Sequence, residues 1–253
     1  MGIFRIFKIG NLRKTYYYFK KNGLKNVFYA AAERILDQNG KEYLYEAPSE
    51  EALARQREEA GKYSCLFSIL VPAYETKAEY LREMIESVLN QSYPGFELIL
   101  ADASETGAVR KVAEEYTDKR IRYVPLAENK GIAENTNAAL ALAHGDYVGL
   151  LDHDDILTKD ALFEMAGAIR ERSEKGGAAW LLYSDEDKGN GDMTEFYEPH
   201  WKPGLNRDLL FSNNYICHFL VMKRELMQRL KLRKGYAGAQ DYDLVLRAVG
   251  DLV

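Results

Sequence analysis

The chain has 253 residues, 47% of them hydrophobic, and a net charge of −5 at pH 7. That is enough apolar material for a sizeable core, and it excludes a disordered or low-complexity chain. The two distant cysteines, Cys65 and Cys217, argue against a disulfide framework or a cysteine zinc site and suit a reducing cytoplasm, while no apolar run is long enough for a membrane span and none has the character of a signal peptide.

In chain order, residues 1–45 read as a basic, aromatic, helical extension broken near Asn22-Gly23 and Asn39-Gly40. Residues 1–34 carry eight basic residues against one acid, Glu33, interleaved with Phe4, Phe7, Tyr16, Tyr17, Tyr18, Phe19, Phe28 and Tyr29. Two readings fit this composition. One is contact with an anionic membrane, which would make the protein cytoplasmic and peripheral on the inner face of the plasma membrane. The other is a set of helices packed on their own domain with lysines in water. Nucleic acid is disfavoured, because the acidic remainder of the chain repels phosphate backbones. Residues 46–62 predict a linker helix with Ser49 as N-cap and almost no apolar face. The main domain is expected over 63–253.

From Tyr63 the pattern alternates. "CLFSILVPAY", "FELILAD", "IRYVPL", "YVGLL" and "AAWLLYS" read as strands. "KAEYLREMIESVLNQ", "AVRKVAEEY", "IAENTNAALALAH" and "KDALFEMAGAIRER" read as helices between them, the first presenting Leu81, Met84, Ile85 and Val88 on one face. Regular β-α alternation predicts an α/β fold with a mostly parallel sheet covered by helices, its ligand edge at the loops that follow the strands.

Three features fall on that edge: "VPAYE" after the first strand, Asp102 after the second, and Asp152-His153-Asp154-Asp155 after "YVGLL". The first turn lacks the glycines of a dinucleotide fingerprint, and no P-loop motif occurs, so neither a Rossmann dehydrogenase nor a P-loop enzyme is expected. Three carboxylates within four residues stay ionised together only beside a cation or strong donors. Oxygen ligands with no thiolate suit Mg2+ or Mn2+ bridging to a diphosphate. The plain alternative is a turn that caps the next helix.

Quoted at length, "FSILVPAYE", "SVLNQSYPGFELILADASE", "ENKGIAENTNAALALAHGDYVGLLDHDDIL", "YSDEDK", "NYICHFLVMKRELM" and "GAQDYDLVLR" resemble glycosyltransferase family 2, most nearly its rhamnosyltransferase-type bacterial polysaccharide branch. The resemblance spans about residues 65–250 and implies the GT-A fold, a Rossmann-like sheet flanked by helices. It implies an inverting, metal-dependent transfer of a hexosyl or deoxyhexosyl group from a nucleotide-diphosphate sugar to a glycan or lipid-linked acceptor in cell-surface polysaccharide synthesis. By the same resemblance, Pro72, Ala73, Tyr74, Glu75, Asp102, Asn129, Gly131, Asn137 and Asp152 bind the nucleotide sugar. Asp154, with Asp152, holds the metal. Ala101 and Thr136 depart from the Asp and Arg that the family usually has at those places.

The family's base, which accepts the acceptor hydroxyl's proton, is the Asp of an E-D pair that reads Gln240-Asp241 here, so the resemblance implies Asp241, in "AQDYDLVLR", with Asp243 as second choice; an Asp at a helix start also serves simply as a cap. Asp185, Glu186, Trp201 and His218 are weaker acceptor-side candidates, each with an ordinary alternative: a solvated turn, a loop anchor, a strand histidine. Rival expectations are a nucleotidyltransferase, for which "VPAYETK" lacks the usual glycine-rich basic loop, and a non-catalytic sugar-nucleotide module. The chain ends ten residues after Asp243, where family enzymes often continue, so a truncated member is also expected to read this way.

Overall fold

The computed structural model describes residues 43–191 and 193–252. Nearly all of the basic extension lies outside the described residues. The chain divides into two units. In the smaller, whose described residues are 43–45, 189–191 and 193–197, the Tyr45 and Phe196 rings lie 4.8 Å apart and the Asn190 side chain accepts the Thr194 and Glu195 N–H groups. The candidate site lies in the larger, whose described residues are 46–188 and 198–252.

Its first element departs from expectation. Helix α1 (Glu50–Glu59) is capped by Ser49 as predicted, with the Ser49 hydroxyl accepting the Ala52 N–H. It is docked rather than a free linker. Leu53 is fully buried, Ala60 joins the core, Ser92 donates to Gln56 at 2.7 Å, and Lys159 pairs with Glu50. The apolar face is only two residues wide, too narrow for periodicity to reveal.

The sheet follows the alternation. Strand β1 (Phe67–Ala73) is apolar apart from Ser68, whose hydroxyl donates to Glu97 at 2.6 Å, and is buried on both faces apart from Pro72, as an interior parallel strand requires. Helix α2 (Ala78–Leu89) packs by Leu81, Met84, Ile85 and Val88, the face its spacing predicts. Then come β2 (Phe96–Asp102), α3 (Ala108–Ala113), β3 (Ile121–Pro125), α4 (Ile132–Leu140), β4 (Tyr147–Leu150), α5 (Ala161–Glu174) and β5 (Leu181–Tyr183). The ribbon strands β6 (Glu186–Gly189) and β7 (Phe196–His200) pair with each other. Helix α6 (Arg207–Ser212), β8 (Leu220–Lys223), α7 (Arg224–Leu230) and α8 (Gln240–Leu252) complete the order.

The main sheet runs β3-β2-β1-β4-β8-β5, with β1 to β4 parallel and β8 antiparallel to both its neighbours. This is the expected mostly parallel sheet between helices. The order in which strands are added reverses between the parallel neighbours β1 and β4, a switch point where loops diverge and leave a crevice. Pairing of β1 with β4 stops at Leu70–Leu150, so Pro72 and Ala73 extend past it into that opening. Apolar clusters on the two faces hold the sheet, one built on α2 and α5, the other on α4, α7 and α8.

Candidate active site and metal centre

After β4 the Leu151 N–H still bonds to the Leu70 carbonyl, and the chain then turns back. The turn is closed by the Asp155 N–H on the Asp152 carbonyl, at 3.3 Å, which sets residues three apart side by side. Opposite them His218 sits just before β8, outside any strand, with its Nε2 3.3 Å from Asp152 Oδ2. One ligand atom from each of Asp152, Asp155 and His218 lies within 4.8 Å of the others. The convergent group therefore holds Asp155 where the sequence reading had Asp154. Asp154 is half-exposed, with the His153 ring 3.7 Å from its carboxylate.

Both convergent carboxyls stay partly open to solvent, yet the concave wall costs them hydration. Burial pushes Asp152 and Asp155 above the ordinary carboxylate value, His218 opposes the shift, and neighbouring carboxylates add to it. Two carboxylates strained by mutual repulsion and one imidazole form a donor set that fits a divalent ion with oxygen and nitrogen preference.

The cluster separates two pockets. A pocket of about 210 Å³ is lined by Pro72, Thr136, Asp152, His218, Gln240 and Asp241 among others. A second, of about 470 Å³, is lined by Asp155, Glu186, Asp187, Glu198, His200 and His218 among others. His218 faces both.

Of the nucleotide-side candidates, Pro72 and Asp152 line the smaller pocket, and Tyr74 is exposed. Ala73 is buried and its carbonyl accepts the Ala103 N–H at 3.0 Å. Glu75, at φ 48°, ties two loops together: its carboxylate accepts from the Glu105 and Thr106 N–H groups and the Thr106 hydroxyl. Those bonds, the hydroxyl first, hold its carboxyl below the ordinary value although burial opposes them. Asp102 is buried, one oxygen accepting the Ser104 N–H and the other the Tyr123 hydroxyl, both at 2.8 Å. Asn129 Oδ1 accepts the Gly131 N–H and the Asn135 amide, and Gly131, at φ 90°, makes the turn into α4. The Asn137 side chain is spent on structure. Its amide donates to the Leu232 carbonyl and its oxygen accepts the Leu232 N–H.

At the other wall, Asp241 lies in the first turn of α8, with Oδ1 accepting the Tyr242 N–H and Oδ2 the Asn214 amide. It is close enough to raise the Asp152 carboxyl further. Asp243, the second choice for a base, has another job. It is buried against Arg233 and Arg247, and the Arg233 hydrogen bonds above all hold its carboxyl below the ordinary value. A carboxylate so held is a poor proton acceptor and a good anchor for the chain between α7 and α8.

Asp185 accepts the Lys202 N–H at 2.6 Å, Trp201 is exposed, and Glu186 lines the larger pocket. Burial pushes the Glu186 carboxyl up, but contacts with His200, the His218 N–H and Lys202 outweigh it and leave it low. Sequence reading did not single out His200 or Lys202, and it did not place Asp155 beside Asp152. Asp155 alone had a signal, its three-residue spacing from Asp152 in a turn.

A family model for glycosyl transferase family 2 matches residues 68–233. The O-antigen biosynthesis protein RfbC of Myxococcus xanthus is 36% identical over 191 residues, which is 72% of this chain and 14% of that protein, so the chain spans a small part of that relative's length. Among solved structures, S. aureus TarS 1-349 in complex with UDP superposes with a TM-score of 0.58 at 22% identity, covering 72% of this chain and 54% of that one. The mannosyltransferase PcManGT from Pyrobaculum calidifontis, in complex with GDP-Man and Mn2+, gives 0.54 at 20% identity over 78% of this chain and 59% of its own. The fold is thus that of glycosyltransferases of the GT-A type.

Proposed function

The chain belongs to glycosyl transferase family 2, and on that premise we propose that it transfers a sugar, with inversion, from a nucleotide-diphosphate donor to a hydroxyl of a glycan or lipid-linked acceptor. One observation carries this reading: Asp152, Asp155 and His218 converge at the wall between two pockets, with Asp241 lining the smaller. Asp152, Asp155 and His218 would hold Mg2+ or Mn2+, which supplies positive charge for the departing diphosphate. UDP in one structural neighbour, and GDP-Man with Mn2+ in another, support a nucleotide-sugar donor and a divalent ion.

Asp241 accepts the proton of the attacking hydroxyl. The Asn214 amide and the Tyr242 N–H fix the orientation of its carboxylate, which lines the smaller pocket. Similarity to an O-antigen biosynthesis protein supports a cell-surface polysaccharide as product.

Residues 1–45 then hold the enzyme on the anionic inner leaflet, where lipid-linked acceptors lie. Flotation with anionic liposomes is expected to require those residues; equal flotation without them removes this part. Among the described residues no helix is long and apolar enough to cross a membrane. The transfer itself is tested by offering UDP-, GDP- and dTDP-sugars with Mn2+ and measuring nucleoside diphosphate release. Release by the native chain is expected from at least one donor and should disappear with EDTA. Undiminished release from Asp155→Ala and Asp241→Asn would remove the site assignment.

A further inference from the structure

His218 lies outside the sheet, so strand pairing does not hold its backbone. Its peptide groups are instead held by two side chains from a different stretch of chain. The His218 N–H donates to Glu186 Oε2 at 2.7 Å, and the His218 carbonyl accepts from Lys202 Nζ. Lys202 Nζ also donates to the Ile216 carbonyl at 3.1 Å and lies 3.5 Å from Glu186 Oε2. The Lys202 side chain is 1% exposed, and its own backbone is fixed by Asp185, which accepts the Lys202 N–H. The other Glu186 oxygen lies 3.0 Å from His200 Nδ1.

Burying an ammonium is costly unless good partners surround it. Here its partners are two carbonyls of the segment carrying His218 and the carboxylate that holds the His218 N–H. We propose that the Lys202–Glu186 pair is a positioning device: it grips the peptide on both sides of His218 and so aims the imidazole at Asp152. Neither residue touches the ion or the donor in this scheme; both act through His218. The proposal rests on the reading of Asp152, Asp155 and His218 as a metal centre.

The test is Mn2+ affinity, read from the free-ion electron paramagnetic resonance signal of the full chain without donor or acceptor. Lys202→Met and Glu186→Ala are each expected to weaken Mn2+ binding about tenfold or more, the usual effect of losing an outer partner of a metal ligand. Glu186→Gln, which keeps an oxygen for the His218 N–H, should recover much of that loss. Placed on a His218→Ala background, neither Lys202→Met nor Glu186→Ala should weaken binding further. Thermal melting in EDTA checks folding, and Glu186→Ala carries the test if Lys202→Met melts early. Equal losses with and without His218 would show general support of the fold and overturn the proposal. Native-like binding by Glu186→Ala beside weakened binding by His218→Ala would overturn it alone. Native-like binding by His218→Ala itself would overturn the metal-centre reading as well.

Discussion

Two aspartates two residues apart in α8 meet opposite fates, and their partners explain why. Asp241 faces a pocket with one amide and one backbone N–H upon it, whereas Asp243 is closed in by Arg233 and Arg247. Asp241→Asn is expected to cut kcat by at least ~100-fold while leaving Mn2+ and nucleotide affinity near native, because only proton acceptance is lost; single-turnover kinetics would check it. Asp243→Asn should instead lower stability by about 2 kcal/mol. Its carboxyl is held low in the folded state, so its stabilisation is complete above the unfolded value near ~3.9 and fades as pH falls through the lower folded value. Urea melts from pH 7 to pH 3 should therefore show the native protein's advantage over the variant shrinking in acid. The sequence could mark both residues as carboxylates at a helix start, but not separate them, since the deciding arginines are set by tertiary packing. Asn137 teaches the same lesson: its family place is visible, while its bonds to Leu232, 95 residues on, are not.

Elements with strong periodicity were legible, and weakly marked ones were not. Mostly apolar runs located β1, β2 and β4, and the 81, 84, 85, 88 spacing oriented α2. The antiparallel insertion of β8 between β4 and β5 was hidden, because a four-residue strand of three apolar residues and a lysine carries no sign of direction. Gly149 shows how that insertion reaches the site. A methyl group there would lie 2.7 Å from the Phe219 ring and 3.0 Å from Ile69 Cδ1, and Phe219 directly follows His218. Gly149→Ala should cost about 1–3 kcal/mol and also weaken Mn2+ binding, as calorimetry and titration would show. Docking of α1 has its own test. Leu53→Ala should lose about 2–4 kcal/mol; an unchanged melting temperature would contradict that packing.

At the scale of the molecule, the strand order β3-β2-β1-β4-β8-β5 brings the ends of β1 and β4 to the switch point, and the segment before β8 supplies the facing histidine. Fold class and the acidic edge were readable from alternation and from charge placed after a buried strand. Which acids converge was not, because a turn's geometry decides whether residue 154 or 155 stands beside 152. The most direct measurement is anomalous diffraction at the manganese edge from crystals grown with Mn2+ and UDP or GDP. The account predicts one peak about 2.1 Å from side-chain atoms of Asp152, Asp155 and His218, with the diphosphate on its far side. A peak held by Asp154 with Asp155 and His218 turned away, or no peak between the two pockets, would contradict it.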